Sequence, residues 1–213
     1  MNRIRIVIKK SLKGLKIFYF RMKYVFLKPR YPINQGSKIY IHLGCGEINS
    51  PEFINVDTRF FPHVHHVHDV CELSIFGNEF ADLIYASHIL EHVSMLKLTQ
   101  VITEWKRVLK KKGILRIGVP NFETIVKIYE DNNRDINAIW MPLMGGQEYR
   151  ENFHYAVFDK NYLTSLLLKC GFSEVKEWNP DVVDNHNFND WTSVRYEVNN
   201  RIYPISLNLE AVK

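Results

Sequence analysis

The chain has 213 residues, of which 46% are hydrophobic and 24% charged, with a formal charge of +5. That apolar fraction excludes disorder, no stretch approaches the ~20 consecutive apolar residues of a membrane span, and the length suits one ordinary domain burying about 70% of its unfolded surface. The charge is divided: residues 1–38 hold eleven Lys or Arg and no acid, leaving seventeen basic residues against all twenty-three acids. A basic arm, residues 1–37, therefore precedes an acidic body, residues 38–213, and the two have separate tasks.

Within the arm Ile4, Ile8, Leu12, Leu15, Tyr19, Met22 and Phe26 share one helical face, opposite Arg5, Lys9, Lys13, Lys16 and Lys23. This is the pattern of a basic amphipathic helix. Such a helix lies in an anionic membrane interface, here through residues 1–30, or docks on its own domain or on a second subunit, and both readings stay open. Nucleic acid ranks last, because the body that follows is acidic. Arg21 and Lys23 interrupt the apolar stretches and no small-residue cleavage site follows, so the arm is expected to remain on the protein. Three cysteines without a C-x-x-C pair (Cys45, Cys71, Cys170) indicate reducing cytosol rather than a disulfide framework.

From Lys38 onward, short β-branched runs alternate with helical patterns, the signature of an α/β, doubly wound, mostly parallel sheet. Strands are expected at 39–43, 53–56, 64–68, 81–86 and 113–119. A helix is expected over Met95–Lys111, where Leu98, Val101, Ile102, Trp105 and Val108 recur at helical spacing and the Lys-rich end with Gly113 reads as a stop. Asn121 caps a helix over 122–129, and Asp159 caps another that stops at Gly171. Residues 172–178 and 205–212 alternate as strands around an Asn/Asp-rich loop.

The first strand runs into Gly44-Cys45-Gly46, and an acid ends each of the next two strands, Asp57 and Asp69. Glycines let backbone approach a ligand at the carboxyl end of a strand, and an acid one strand over can grip two ribose hydroxyls. The phosphate-binding pattern G-x-G-x-x-G is missing, since Glu47, Ile48 and Asn49 follow Gly46.

With Leu43-Gly-Cys-Gly46, Phe53-Ile-Asn-Val-Asp57, His68-Asp-Val70, Tyr85-Ala-Ser-His-Ile-Leu-Glu-His92, Glu104-Trp-Lys-Arg-Val-Leu109 and Gly113-Ile-Leu-Arg-Ile-Gly-Val-Pro120, the body resembles the class I S-adenosylmethionine-dependent methyltransferases. Within them it resembles the compact members associated with polysaccharide and lipopolysaccharide biosynthesis. The resemblance implies a Rossmann-like seven-stranded sheet with its last strand antiparallel, and S-adenosylmethionine as cofactor. It places Gly44, Cys45 and Gly46 at the methionine part, Asp57 on the ribose, Asp69 and Val70 at the adenine, and His88 near the sulfur. The ten residues between Gly46 and Asp57 leave room for a helical turn or two at most, and His42 stands where the motif usually carries an acid.

Methyl transfer to a hydroxyl benefits from a base, for which His154 and His88 are the candidates. His92 is expected to face the following helix. His154 lies in a polar insertion where Gln147, Tyr149, Arg150 and Asn152 could bind a polyhydroxylated acceptor. His63, His65, His66 and His68 read as strand-edge residues, and no metal is expected. The expected activity is O-methylation of a sugar or glycolipid intermediate of surface polysaccharide assembly, in the cytoplasm or at the inner face of the membrane. The alternatives are a small-molecule methyltransferase and a non-catalytic scaffold on a cofactor-binding fold.

Overall fold

The computed structural model describes residues 30–213; the amphipathic helix expected in the arm lies outside the described residues. A seven-stranded sheet is built from β1 (Tyr40–Leu43), β2 (Ile54–Asp57), β3 (His66–Val67), β4 (Ala81–Ser87), β5 (Leu109–Pro120), β6 (Glu174–Glu177) and β9 (Ser206–Val212). Its order is β3-β2-β1-β4-β5-β9-β6, parallel throughout except for β9, which runs antiparallel to β5 and β6. This is the class I methyltransferase arrangement that the sequence leads one to expect.

Alternation along the strands makes two cores. Ile41 and Leu43 of β1, with Ile84 and Ala86 of β4, enter the larger one. There they meet Val101, Ile102, Trp105 and Val108 of helix α1 (Leu98–Val108) and Leu163 and Leu167 of helix α3 (Lys160–Lys169). Tyr40, His42, Leu83 and Tyr85 are the intervening residues and face the other way. That face is covered by an irregular segment: Trp178, Val183 and Phe188 pack with Tyr40, Phe53, Leu83 and Tyr85, and Tyr85 donates to the Asp190 carboxylate. Only residues 44–53 join β1 to β2, without a helix. A parallel crossover ordinarily needs a dozen or more residues, so the segment after Trp178 covers surface that a crossover helix would otherwise cover.

Three expectations are revised. The helix beginning near Met95 ends at Val108 rather than Lys111, because Leu109 already pairs with Ala81 in the sheet. Lys110 then reaches Asp82 at 2.6 Å, and the chain bulges before Ile114 pairs with Leu83. The third strand shrinks to His66–Val67. Part of the Asn/Asp-rich loop forms a hairpin, β7 (Arg195–Val198) with β8 (Arg201–Pro204). Its Asn199-Asn200 turn has positive φ at both residues, the geometry of a two-residue hairpin turn. The hairpin's Tyr203 packs with Ile125 and Ile128 of helix α2 (Phe122–Asp131). Both side-chain caps form as expected, Asn121 accepting from the Glu123 amide and Asp159 from the Tyr162 amide.

His42 is 1% exposed, 2.8 Å from the Ser50 hydroxyl through Nδ1 and stacked on Phe188. Burial above all pushes its titration down to about 3 from an ordinary 6.5, against a smaller opposing pull from Asp190. The unfolded chain therefore takes up this proton first as pH falls: stability is full above the ordinary value and declines on acidification toward the depressed one. In His42→Gln, the pH slope of the unfolding free energy between about pH 6 and pH 4 should be shallower than in the parent by about 1.4 kcal/mol per pH unit. Urea denaturation at each pH measures it, and parallel slopes would contradict the burial argument.

Candidate active site

At the carboxyl ends of β1, β2 and β4 the structure opens a cleft of about 1090 Å³. One side is made by the glycine loop. Gly44 and Gly46 adopt left-handed backbone, and a Cβ on Gly44 would lie 1.9 Å from Cδ1 of Ile89. No residue but glycine fits there. Asp57, 4% exposed, holds the loop: Oδ2 accepts from the Gly46 amide at 2.7 Å and Oδ1 from the Arg59 amide at 2.7 Å. An ionised carboxylate offers about four acceptor positions, so two remain for a ligand's hydroxyls. His63 braces the loop from below, with Nε2 3.0 Å from the Gly46 carbonyl.

Beyond β3, Asp69 is exposed and caps its own turn, accepting from the Cys71 amide at 2.9 Å. The Val70 carbonyl is tied to the Trp105 indole at 2.7 Å. All of Gly44, Cys45, Gly46, Asp57, Asp69, Val70, His88 and His154 line this one cleft. Burial pushes the Cys45 thiol far above its ordinary range, so this residue is a small buried wall and not a nucleophile.

The far side is formed by residues 141–155. Tyr149 lies under the Arg59 guanidinium, 4.9 Å from ring centroid to carbon, and so links this segment to the loop after β2. Asn152 and Tyr149 line the cleft, whereas Gln147 turns its amide to the Met144 carbonyl.

Where the two sides meet, His88 follows β4 with φ of 51°, a conformation costing a non-glycine residue about 1–2 kcal/mol. Three contacts hold it there: Nε2 on the Ser206 hydroxyl at 2.6 Å, Nδ1 on Glu91 at 3.2 Å, and its ring 5.8 Å from that of Trp191. His92 does not turn toward the helix as expected. It faces the cleft, with Nδ1 3.0 Å from the Phe153 carbonyl and its ring 4.9 Å from that of His154.

Between these histidines lies Glu91, 1% exposed and unforeseen. The signal was present in the His88-Ile-Leu-Glu-His92 spacing, which brings three polar side chains together over a single turn. Burial, the largest influence, raises the Glu91 carboxyl, but His88, His92 and His154 together outweigh it and leave it below its ordinary value. Burial, partly opposed by Glu91, lowers His154. Its imidazole is thus held toward the neutral form that can accept a proton.

The histidines of the 63–68 run diverge as expected of edge residues. His63 takes the Gly46 carbonyl, His65 the Asn55 amide, His66 Tyr31, and His68 Glu72.

Residues 44–117 match the family described as "Methyltransferase domain". Among solved structures, a SAM-dependent methyltransferase from Archaeoglobus fulgidus superposes with a TM-score of 0.53 at 15% identity, over 98% of this chain and 99% of its own. A SAM-dependent methyltransferase from Thermotoga maritima, described as a possible histamine N-methyltransferase, gives 0.52 at 15% identity over 97% and 96%. Another, from Methanosarcina mazei, gives 0.52 at 17% identity over 85% and 94%. These likenesses establish the fold. No curated protein matches the chain by sequence.

Asp57→Asn keeps the size of the side chain but loses the charge that strengthens its bonds. With each charge-assisted bond contributing about 1.5–3 kcal/mol, calorimetry should find S-adenosylmethionine bound at least about tenfold more weakly. Unchanged affinity in a folded variant would remove Asp57 from the ribose.

Proposed function

From the premise that this chain is a class I S-adenosylmethionine-dependent methyltransferase, we propose that it O-methylates a polyhydroxylated acceptor, a sugar or glycolipid intermediate of surface polysaccharide assembly. The observation that carries the hydroxyl acceptor is the cluster of His88, Glu91, His92 and His154 inside the cleft. Bases are what a hydroxyl needs and what an already nucleophilic amine does not. Tyr149, Tyr155 and Trp191 line the same cleft as exposed rings, and beside them Glu148, Glu151 and Asn152 offer polar groups. Flat apolar faces beside hydrogen-bonding groups suit a sugar ring. The cleft volume lies just above the range of about 300–1,000 Å³ for small-molecule sites, which leaves room for an acceptor beside the cofactor.

The residues present fit the cofactor: a loop without side chains at its two turns, a buried carboxylate with two acceptor positions to spare, and a tight turn after β3. Gly44, Gly46, Asp57 and Val70 would hold it. When bound, S-adenosylmethionine supplies an electrophilic methyl group that leaves a neutral thioether behind. The protein's share is to hold the acceptor oxygen in line with that methyl and to exclude water. The cluster takes up the hydroxyl proton as the oxygen–carbon bond forms, with His154 placed on the acceptor side.

The arm extends the reading to location. Its concentrated positive charge would hold the enzyme against the anionic inner face of the membrane, each cation contributing about 1 kcal/mol before screening. Among the described residues no helix is long and apolar enough to cross a membrane.

Cell-envelope extracts incubated with the enzyme and methyl-labelled cofactor test the acceptor. Label should appear in alkali-stable ethers of carbohydrate, and label confined to amines would overturn the reading. On the identified acceptor, His154→Ala should lower turnover by about 10²–10⁴-fold while cofactor affinity changes little; undiminished turnover would exclude a role for His154. Removing residues 1–30 should abolish sedimentation with anionic liposomes, and binding by the full chain should weaken with salt as the Debye length falls below about 8 Å. Full-length protein that ignores such liposomes would transfer the arm to a protein contact.

A further inference from the structure

We propose that Glu91, His92 and His154 bind a divalent cation of the zinc or manganese type, which holds the acceptor hydroxyl beside the methyl donor. The catalytic consequence rests on the hydroxyl-acceptor reading above; the binding itself does not. The expectation from sequence was a site without metal, because the conspicuous histidines were those of the 63–68 run.

The first argument is the state of Glu91. Its side chain is 1% exposed, and neither carboxylate oxygen receives a hydrogen bond of good geometry. A buried carboxylate without a donor is costly and calls for a cation. Its carboxylate, one nitrogen of His92 and one of His154 lie within 4.8 Å of one another. Metal–ligand distances of about 2.0–2.2 Å require these atoms to draw together by roughly 1 Å, a side-chain adjustment.

The second argument is where the imidazole protons sit. The Phe153 carbonyl can only accept, so His92 donates to it from Nδ1 and leaves Nε2 facing Glu91, 4.0 Å away. The Ser206 hydroxyl donates to the Trp191 carbonyl at 2.7 Å, so it accepts from Nε2 of His88. The His88 Nδ1 faces Glu91 from 3.2 Å. Ring nitrogens of two imidazoles thus converge on one buried carboxylate, each ring held from its far side by a partner of its own. An imidazole fixed by a carbonyl on its other nitrogen is also the usual outer support of a metal-binding histidine.

The third argument is rigidity. The Glu91 carbonyl accepts from the Tyr155 amide at 2.8 Å and the Ala156 amide at 3.2 Å. The His154 segment is therefore stitched to the turn that carries Glu91 and His92, and all three ligands keep one register. Two imidazoles and one carboxylate favour borderline ions over calcium or magnesium, which prefer oxygen. Three protein ligands leave a coordination position open to the cleft. With His154 bound to the ion, the base is His88: the acceptor oxygen would occupy the open position, pass its proton to His88, and form the new bond to the methyl carbon as the carbon–sulfur bond breaks.

The test uses untagged, full-length protein stripped with chelator and titrated with Co²⁺, whose visible absorption reports nitrogen and oxygen ligation independently of activity. The parent should bind one equivalent in competition with a chelating dye. Loss of an outer support typically costs about 10–100-fold in metal affinity, so Glu91→Gln and His154→Asn, each a direct ligand lost, should weaken cobalt at least that much. His66→Asn should bind as the parent does. No cobalt uptake by a parent that still binds S-adenosylmethionine would overturn the proposal, as would uptake that survives in both ligand variants or disappears in His66→Asn. Cobalt bound in the cleft of an enzyme that labels only amines would keep the site and sink the hydroxyl acceptor, so the two failures are distinct.

Discussion

The grip of Asp57 on the Gly46 and Arg59 amides is the constraint on which the cleft depends. It ties the end of β2 to the turn after β1 and fixes where the loop's backbone passes. It also orients Arg59, whose guanidinium carries the Tyr149 ring on the other side. A single buried carboxylate therefore organises the glycine-loop side of the cleft and, through Arg59, anchors the side formed by residues 141–155. Low local dielectric strengthens such bonds and makes their loss expensive.

The short connection between β1 and β2 saves chain but leaves one face of the sheet without a crossover helix. The residues exposed by that economy are unusually polar for a sheet interior: His42, Asn55, Tyr85, Arg116 and Glu210 are all buried. Each requires a partner. Glu210 pairs with Arg116 at 2.7 Å, and the Arg116 guanidinium also donates to the Asp184 carbonyl and covers the Trp178 ring. Asn55 donates its side-chain amide to the Ser50 carbonyl. The segment from Trp178 to Thr192 thus seals the sheet with rings and hydrogen bonds instead of a helix. The same segment delivers Asp190 and Trp191 to the cleft, so covering the face and building the site are one task.

Strain and charge are concentrated at the end of β4. His88 is held in a left-handed turn by Ser206, Glu91 and Trp191, drawn from three separate parts of the chain. Such a turn persists only when its surroundings over-determine it. It aims the imidazole into the same cleft as His92 and His154 and places a buried carboxylate among them.

Sequence alone determined the succession of the sheet strands along the chain, the two helix caps, the glycine turn and the acid that ends β2. Each of these is local: a period of two, a polar residue before an apolar helix, or a glycine where only positive φ serves. The end of α1 was misread because the Lys-rich stretch that resembles a helix stop is drawn into a bulged strand by Ala81 and Asp82, far away in sequence. The hairpin at Asn199-Asn200 was hidden in an Asn/Asp-rich loop, its strands stabilised by pairing with each other and by contacts with α2. Tertiary structure alone decided the meaning of the nine histidines. Those adjacent in sequence, from His63 to His68, turn to four different partners. Meanwhile His92 and His154, 62 positions apart, meet across Glu91 because two amides after His154 bond to the Glu91 carbonyl. Spacing along a chain reports which side chains share a turn or a strand face, and it carries no information on which turns the fold will bring together.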